Sequence, residues 1–357
     1  MADQAFTIGM AVDVQSAFGT PNSTIAALAT NVAATDGAVL GDKGSGDAES
    51  GISIPQIVPI FREVAAVAGS YTEQADSFQR ASVEGFSVTF PLQGNGVDAT
   101  PSAGEASLAT AHKGIHAILY SLGLIVANGS APAVEYTPRF AASSGGGTIY
   151  STVKIWIGDL SFVFTDCLVD TASMVFTPGG NGLLTANFKV GKHDPATDFA
   201  DGVTFPTFDY GSQASLSAPT VEGVAFTWGE VRGFETLTVN VSNEVAEFGD
   251  SNVESTGIRQ SQTRRIFTAD GRLYLNDADS DFEYQKTIST AAPTEDLSFQ
   301  LGTPATTGII NGVKIELNNL QSKGVKYDRI GSAMVAELSG AKATDTSPGS
   351  EFKLTFN

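Results

Sequence analysis

Apolar and polar residues alternate most cleanly in Gly85-Phe-Ser-Val-Thr-Phe-Pro-Leu92, which sets Phe86, Val88 and Phe90 on one face of a strand. From Gly104 to Val126 the period changes. Leu108, Ala111, Ile115, Ile118, Leu119 and Leu122 recur at three- and four-residue steps before Gly123, which predicts one packed helix. Tyr150 to Ile157 and Leu160 to Phe164 flank the turn pair Gly158-Asp159 and read as a β-hairpin. Strands over Cys167 to Thr177 and Leu183 to Val190 extend it into a meander. Ile52 to Ala81 reads as strand pieces and a long loop.

Residues 1–51, rich in Ala, Thr, Gly and Asp, read as an extended arm, and 192–231, rich in Asp, Pro, Gly and Ser, as a linker. Beyond the linker the order of elements returns. A strand at Glu235 to Val241 precedes a polar stretch, a turn at Asp270-Gly271, a short helix near Asp281 to Thr287 and a strand at Leu297 to Leu301. Further strands follow at Gly312 to Leu317, Gly324 to Tyr327, Ser332 to Leu338 and Phe352 to Phe356. The expectation is a mainly β chain holding one unit twice, at 52–191 and 232–357.

Composition agrees with many sheets joined by small-residue turns: 38 of the 357 residues are glycine. Only 17% are charged, yet 39 acids face 20 bases, for a net charge of −19. That balance argues against gripping nucleic-acid phosphates or an anionic membrane. The single cysteine, Cys167, leaves no disulfide framework and no Cys-based zinc cluster. The opening Met-Ala-Asp-Gln-Ala-Phe lacks the features of a signal peptide, and no apolar run is long enough to span a bilayer. The Asn-x-Ser/Thr matches at Asn22, Asn128 and Asn240 are therefore read as chance.

Candidate chemistry is sparse. His112 and His116 stand four apart on the predicted helix, but Lys113 occupies the position where a metalloprotease motif needs Glu, and both are assigned to a solvated face. Asp277, Asp279 and Asp281 alternate as a calcium loop begins, but Phe282 and Ile288 replace its Gly and its bidentate Glu. That segment is read as a polar turn capping the short helix. Asp194, Asp198 and Asp201 are read as solvated linker, Cys167 as a small buried hydrophobe, and His193 as no partner to a nucleophile. No nucleophile elbow, Walker loop or dinucleotide fingerprint occurs, so neither an enzyme nor a cofactor or metal site is expected.

Four segments carry a resemblance: Tyr136-Thr-Pro-Arg139, Ser151-Thr-Val-Lys-Ile-Trp-Ile-Gly-Asp-Leu-Ser-Phe162, Thr165-Asp-Cys-Leu-Val-Asp170 and Gly182-Leu-Leu-Thr-Ala-Asn-Phe-Lys-Val190. They resemble the segment that closes the first domain of tail tube proteins, the major tail proteins of long-tailed bacteriophages (siphoviruses). Here Gly158-Asp159 reverses the family's usual Asp-Gly order, and Asp166 replaces the Gly before the Cys.

The resemblance implies a twisted antiparallel β-sandwich with a flanking helix, whose inner strands join those of neighbours into a barrel around a lumen. Rings would stack head to tail into the virion tail, assembled in the host cytoplasm, through which DNA passes without specific binding. Tail terminator, tape measure and distal tail proteins are the implied partners, with no membrane. Two units per chain favour a trimer of pseudo-sixfold symmetry over a hexamer. Three subunits at −19 each bring −57 to a ring, implying a negatively charged lumen. The loop between Ile60 and Ala81 and the arm before Gly51 are candidates for contacts between rings, ordering on assembly. Rival readings are a capsid decoration or other virion shell protein, an acidic surface-binding β protein and a hydrolase.

Overall fold

We describe a computed structural model of the chain, which describes residues 8–28, 31–42, 51–53, 55–62, 77–94, 112–127, 134–139, 147–158, 160–193, 205–209, 219–221, 225–227, 233–249, 258–274, 294–302, 312–321, 325–344 and 349–356. The protein is mainly β. The first strands are β1 (Ile8–Val14), β2 (Asn31–Ala33), β3 (Ala38–Asp42), β4 (Gly51–Ile52), β5 (Ile57–Arg62), β6 (Ser77–Val83) and β7 (Phe86–Pro91). Next come β8 (Leu124–Ala127), β9 (Val134–Pro138), β10 (Ser151–Ile157), β11 (Leu160–Phe176), β12 (Leu183–Lys189), β13 (Lys192–His193) and β14 (Thr207–Asp209). The last are β15 (Ala225–Thr227), β16 (Gly233–Gly249), β17 (Ile258–Tyr274), β18 (Thr294–Leu301), β19 (Val313–Gln321), β20 (Val325–Ile330), β21 (Ala333–Ala343) and β22 (Phe352–Phe356). Helix α1 (Ser23–Ala27) follows β1, and α2 (Lys113–Ser121) precedes β8.

Hydrogen bonding arranges these strands in layers. A long antiparallel sheet runs β4-β7-β12-β11-β16-β17-β21-β20. A second layer runs β8-β9-β22-β19-β18-β15. Apolar residues between them form the core: Phe267 stacks on Phe352 at 4.7 Å, and Phe176 meets Phe299 edge-on at 4.7 Å. The expected alternation in β7 holds, with Phe86, Val88 and Phe90 all buried. Both layers cross the middle of the sequence, through β11–β16 and β9–β22, so the two halves share one core.

Residues 8–42, expected as part of an extended arm, instead hold a central strand. β1 lies between β10 and β3 in a smaller sheet, β3-β1-β10-β11-β13. Its two faces are both buried: Met10 and Val12 join the main core, while Ala11 packs with Ile25, Val32, Ala38 and Trp156. A strand covered on both sides reads as an unbroken apolar run, not as an alternating one. Between 192 and 231, where a linker is expected, β14 pairs with β2 and β15 with β18.

Three other expectations change. Leu160 to Phe176 is one strand, not two. Asp270-Gly271 lies inside β17 rather than in a turn, and its glycine answers to crowding, since a Cβ on Gly271 would stand 2.6 Å from the Thr236 carbonyl oxygen. The helix expected to run to Val126 ends at Ser121, and Leu124 already belongs to β8. Gly123 breaks it with φ +84°, in the left-handed region that glycine adopts without strain. Residues 104–111, the expected helix at Asp281 to Thr287 and the loop segment 63–76 lie outside the described residues. On either side of that segment, β5 and β6 pair as a hairpin.

The halves repeat each other down to their irregularities. In sequence order within each half, the long sheet reads first, second, fourth, third: β4-β7-β12-β11, then β16-β17-β21-β20. The β10–β11 ladder slips between Ser151 and Val153, which face Cys167 and Phe164. The β18–β19 ladder slips between Glu295 and Leu297, which face Leu320 and Leu317. Asp166 (φ 55°) and Asn319 (φ 48°), the described non-glycine residues with positive φ, each lie six positions into their strand. Past Asn319, the end of β19 and all of β20 lie along β21 in one continuous register. β15 faces β18 as β1 faces β10. The first unit therefore begins at β1.

Asp166 is where β11 leaves the small sheet for the long one, at a backbone conformation that glycine adopts without strain. Here the strained backbone is held by side chains instead. Asp166 N donates to Gln15 Oε1 at 2.8 Å, and Asp166 Oδ1 accepts from Gly19 N at 2.8 Å and Gln15 Nε2 at 3.3 Å. Gln15→Ala strands these buried groups and is expected to lower stability by about 1–3 kcal/mol in urea denaturation. Adding Asp166→Gly, which relieves roughly 1–2 kcal/mol of left-handed strain, should recover part of that loss.

Candidate assembly interface

The outward face of the long sheet is set by the pleat. With Val88, Ala186, Ala172, Val239 and Ala269 turned into the core, the intervening residues form rows across both halves. One row reads Thr89, Thr185, Ser173, Asn240, Thr268 and Lys342. Its hydroxyls and amides bond sideways: Thr89 Oγ1 lies 2.9 Å from Thr185 Oγ1, and Asn240 Nδ2 donates to Asp270 Oδ2 at 2.8 Å. One row over, Asn187 Nδ2 donates to Thr171 Oγ1 at 2.9 Å.

Two basic residues bridge acids on this face, while Asp270 accepts from the Asn240 amide and from Gly340 N. Arg272 bridges Glu235 and Asp328, both at 2.8 Å, with Glu337 at 3.7 Å, and Lys189 reaches Asp170 and Glu247 at 3.9 and 3.8 Å. The second layer's outward face carries a ladder of charges instead, with Lys353 3.7 Å from Glu135 and 3.4 Å from Glu316, and Lys314 2.7 Å from Glu316.

Both ends of the long sheet stop at incompletely paired strands. Among the described residues, β20 bonds in-sheet to β21 alone, and β4 to β7 alone. Lys326, Tyr327, Asp328 and Arg329 are all exposed. Such edges present unpaired N–H and C=O groups, and the charges on β20 discourage indiscriminate pairing.

A polar latch fixes the halves to each other. Asn243 Nδ2 donates to the carbonyls of Leu122 (2.9 Å) and Val169 (2.8 Å), and Arg265 Nε to Leu122 O (3.2 Å) and Asn243 Oδ1 (3.0 Å). Gln262 Nε2 donates to Ser121 O at 2.7 Å. The carbonyls that end α2 thus find donors on the β16–β17 hairpin of the other half. Burial lowers the Arg265 pKa to about 10, so it remains charged at neutral pH.

The sequence-predicted residues do not converge on a reaction centre. His112, assigned to a solvated face, is buried and is the N-cap of α2, where its Nδ1 accepts from Ile115 N at 3.2 Å. His116 is half-buried, with Nδ1 2.8 Å from the Tyr136 hydroxyl. Cys167 is buried, and burial pushes its thiol pKa up, with the Asp166 charge adding to the effect. His193 is buried beside the Phe164 ring. Asn22 caps α1 by accepting from Thr24 N and Ile25 N. Asn128, Asp194, Asp198, Asp201, Asp277, Asp279, Asp281, Phe282 and Ile288 lie outside the described residues. Among the described residues no three His, Cys, Asp or Glu side chains gather as metal ligands, and no helix is long and apolar enough to cross a membrane.

No protein-family model matches the chain, and no curated protein matches it either.

The His112 cap makes a pH prediction. Burial lowers its pKa from 6.5 to about 4, so the fold favours neutral imidazole and protonation favours the unfolded chain. This contribution is complete above about pH 6.5 and is lost as pH falls toward 4. Between pH 7.5 and 5 the protein should lose about 2 kcal/mol more than a His112→Asn variant that keeps a capping side chain, measured by urea denaturation.

Proposed function

We propose that this chain is a structural subunit of a bacteriophage tail tube, a non-enzymatic virion protein whose stacked rings enclose a lumen for DNA passage during genome ejection. One observation carries the reading: an eight-stranded sheet, built from two like halves, ends among the described residues in an unfilled edge on each side. Joined edge to edge, such sheets close into a barrel, which removes the edges altogether. The resemblance in the segments from Tyr136 to Val190 points the same way. With two units per chain, three chains give a ring of pseudo-sixfold symmetry.

In this reading the long sheet faces the lumen and the charged second layer faces outward. The inner wall is then hydroxyl and amide, with Arg272 and Lys189 bridging acids, in place of the bare negative lumen that net charge alone suggests. Phosphates sliding along it meet neither a basic face that would hold them nor a field of bare carboxylates. The rings stack head to tail in the virion tail, assembled in the host cytoplasm, and meet tail terminator, tape measure and distal tail proteins.

Negative-stain electron microscopy of the purified protein, at rising concentration and with tube seeds, tests this. Hollow tubes of stacked rings with threefold symmetry are expected. Monodisperse globules under every condition would count against the reading.

A further inference from the structure

The repeat inside the chain contains a filled copy of the contact that its ends leave open. In the first unit, the third strand of the long-sheet order is β11. Its outer edge is covered by the first strand of the second unit, with Thr171 to Phe176 running antiparallel to Ser242 to Leu237. In the second unit the third strand is β20, and nothing described covers its outer edge. The strand it lacks is the equivalent of β16, which in the first unit is the segment beginning at β4.

The matching bends fix the register. Superposing Asp166 on Asn319 places Val175 on Asp328 and Met174 on Tyr327. On the other side, Ile52 faces Val88 in β7 and Leu237 faces Gly271 in β17. Counting the two ladders outward through β12 and β21 makes Val88 and Gly271 equivalent, and hence Ile52 and Leu237. Burial agrees, since Ile52 and Leu237 both point into the core. Ser53 then corresponds to Thr238, the residue that faces Val175 within the chain.

One side chain reports the vacancy. Met174 is fully buried at the filled junction, whereas Tyr327, at the same place on the open edge, is 42% exposed. A large ring with this much surface uncovered fits an edge built to be covered.

We propose that β20 of one copy pairs antiparallel with residues 51–53 of a second copy, Asp328 lying opposite Ser53. The junction repeats the in-chain β11–β16 pairing, so that every seam of the ring has one geometry. This deepens the ring reading and rests on it. The occupant of the edge is another copy of this chain, and the register distinguishes the pairing from unspecific edge contact.

The test is oxidative crosslinking of the full chain carrying Ser53→Cys with Asp328→Cys, with Ser53→Cys and Lys326→Cys as a pair shifted along the strand. Directly opposed residues stand about 4.5–5.5 Å apart, within disulfide reach, whereas the shifted pair does not. At least tenfold more covalent closed trimer is expected from the first pair. Hydrogen exchange on the unaltered chain supplies a second reading, with amides of 51–53 and 325–330 slowing on assembly. Rings that form without register preference and without that protection overturn the proposed seam and leave the ring reading standing. If the unaltered chain never assembles, both fall. If the cysteine variants alone fail to assemble, exchange on the unaltered chain decides.

Discussion

A strand that serves two sheets must break its own pleat, and in this protein the rest of the fold depends on where that break falls. At Asp166 the backbone turns through the left-handed region, so that one 17-residue strand completes the small sheet and then enters the long one. The cost of the conformation is met locally by Gln15 and Gly19, both supplied by the segment that follows β1. The N-terminal strand and the sheet corner therefore stabilise each other. Asn319 repeats the bend in the second half with different support: its N–H donates to Asp296 Oδ1 at 2.9 Å, and its carbonyl accepts from the Thr344 hydroxyl at 3.0 Å. The backbone geometry is common to both halves while the side chains that hold it differ.

This explains why the repetition is visible in strand order and ladder slips and faint in residue identity. Phe162, Phe164 and Cys167 correspond to Ile315, Leu317 and Leu320, all buried. A core asks for apolar volume rather than particular residues.

Much of the β architecture could be read from the sequence because half-buried strands alternate. β7 and β19 follow that rule, whereas the β10–β11 hairpin, buried on both faces, is legible from its apolar residues and the Gly158-Asp159 pair between them. β1 does not, since burial on both faces removes the polar beat, and its Ala and Gly disguised a central strand as an arm. Asp270-Gly271 carries the letters of a turn, but its glycine answers to crowding by the neighbouring strand. His112 lies at the start of the helix rather than on its solvated side, and its ring serves as a cap. The latch gave no signal at all. Asn243, Gln262 and Arg265 are ordinary polar residues of a long hairpin until tertiary structure sets them against the end of α2.

The covalent link between the two units has a consequence for how the proposed ring comes together. In a ring of three chains, half of the seams are already closed when each chain folds, at an effective concentration fixed by the chain itself. Two associations between molecules remain, each costing roughly 4–15 kcal/mol of lost translational and rotational freedom, and the third seam closes within the trimer, whereas six single units would need five. Ring formation then depends on the third power of subunit concentration instead of the sixth, and a dilute pool of subunits can still nucleate.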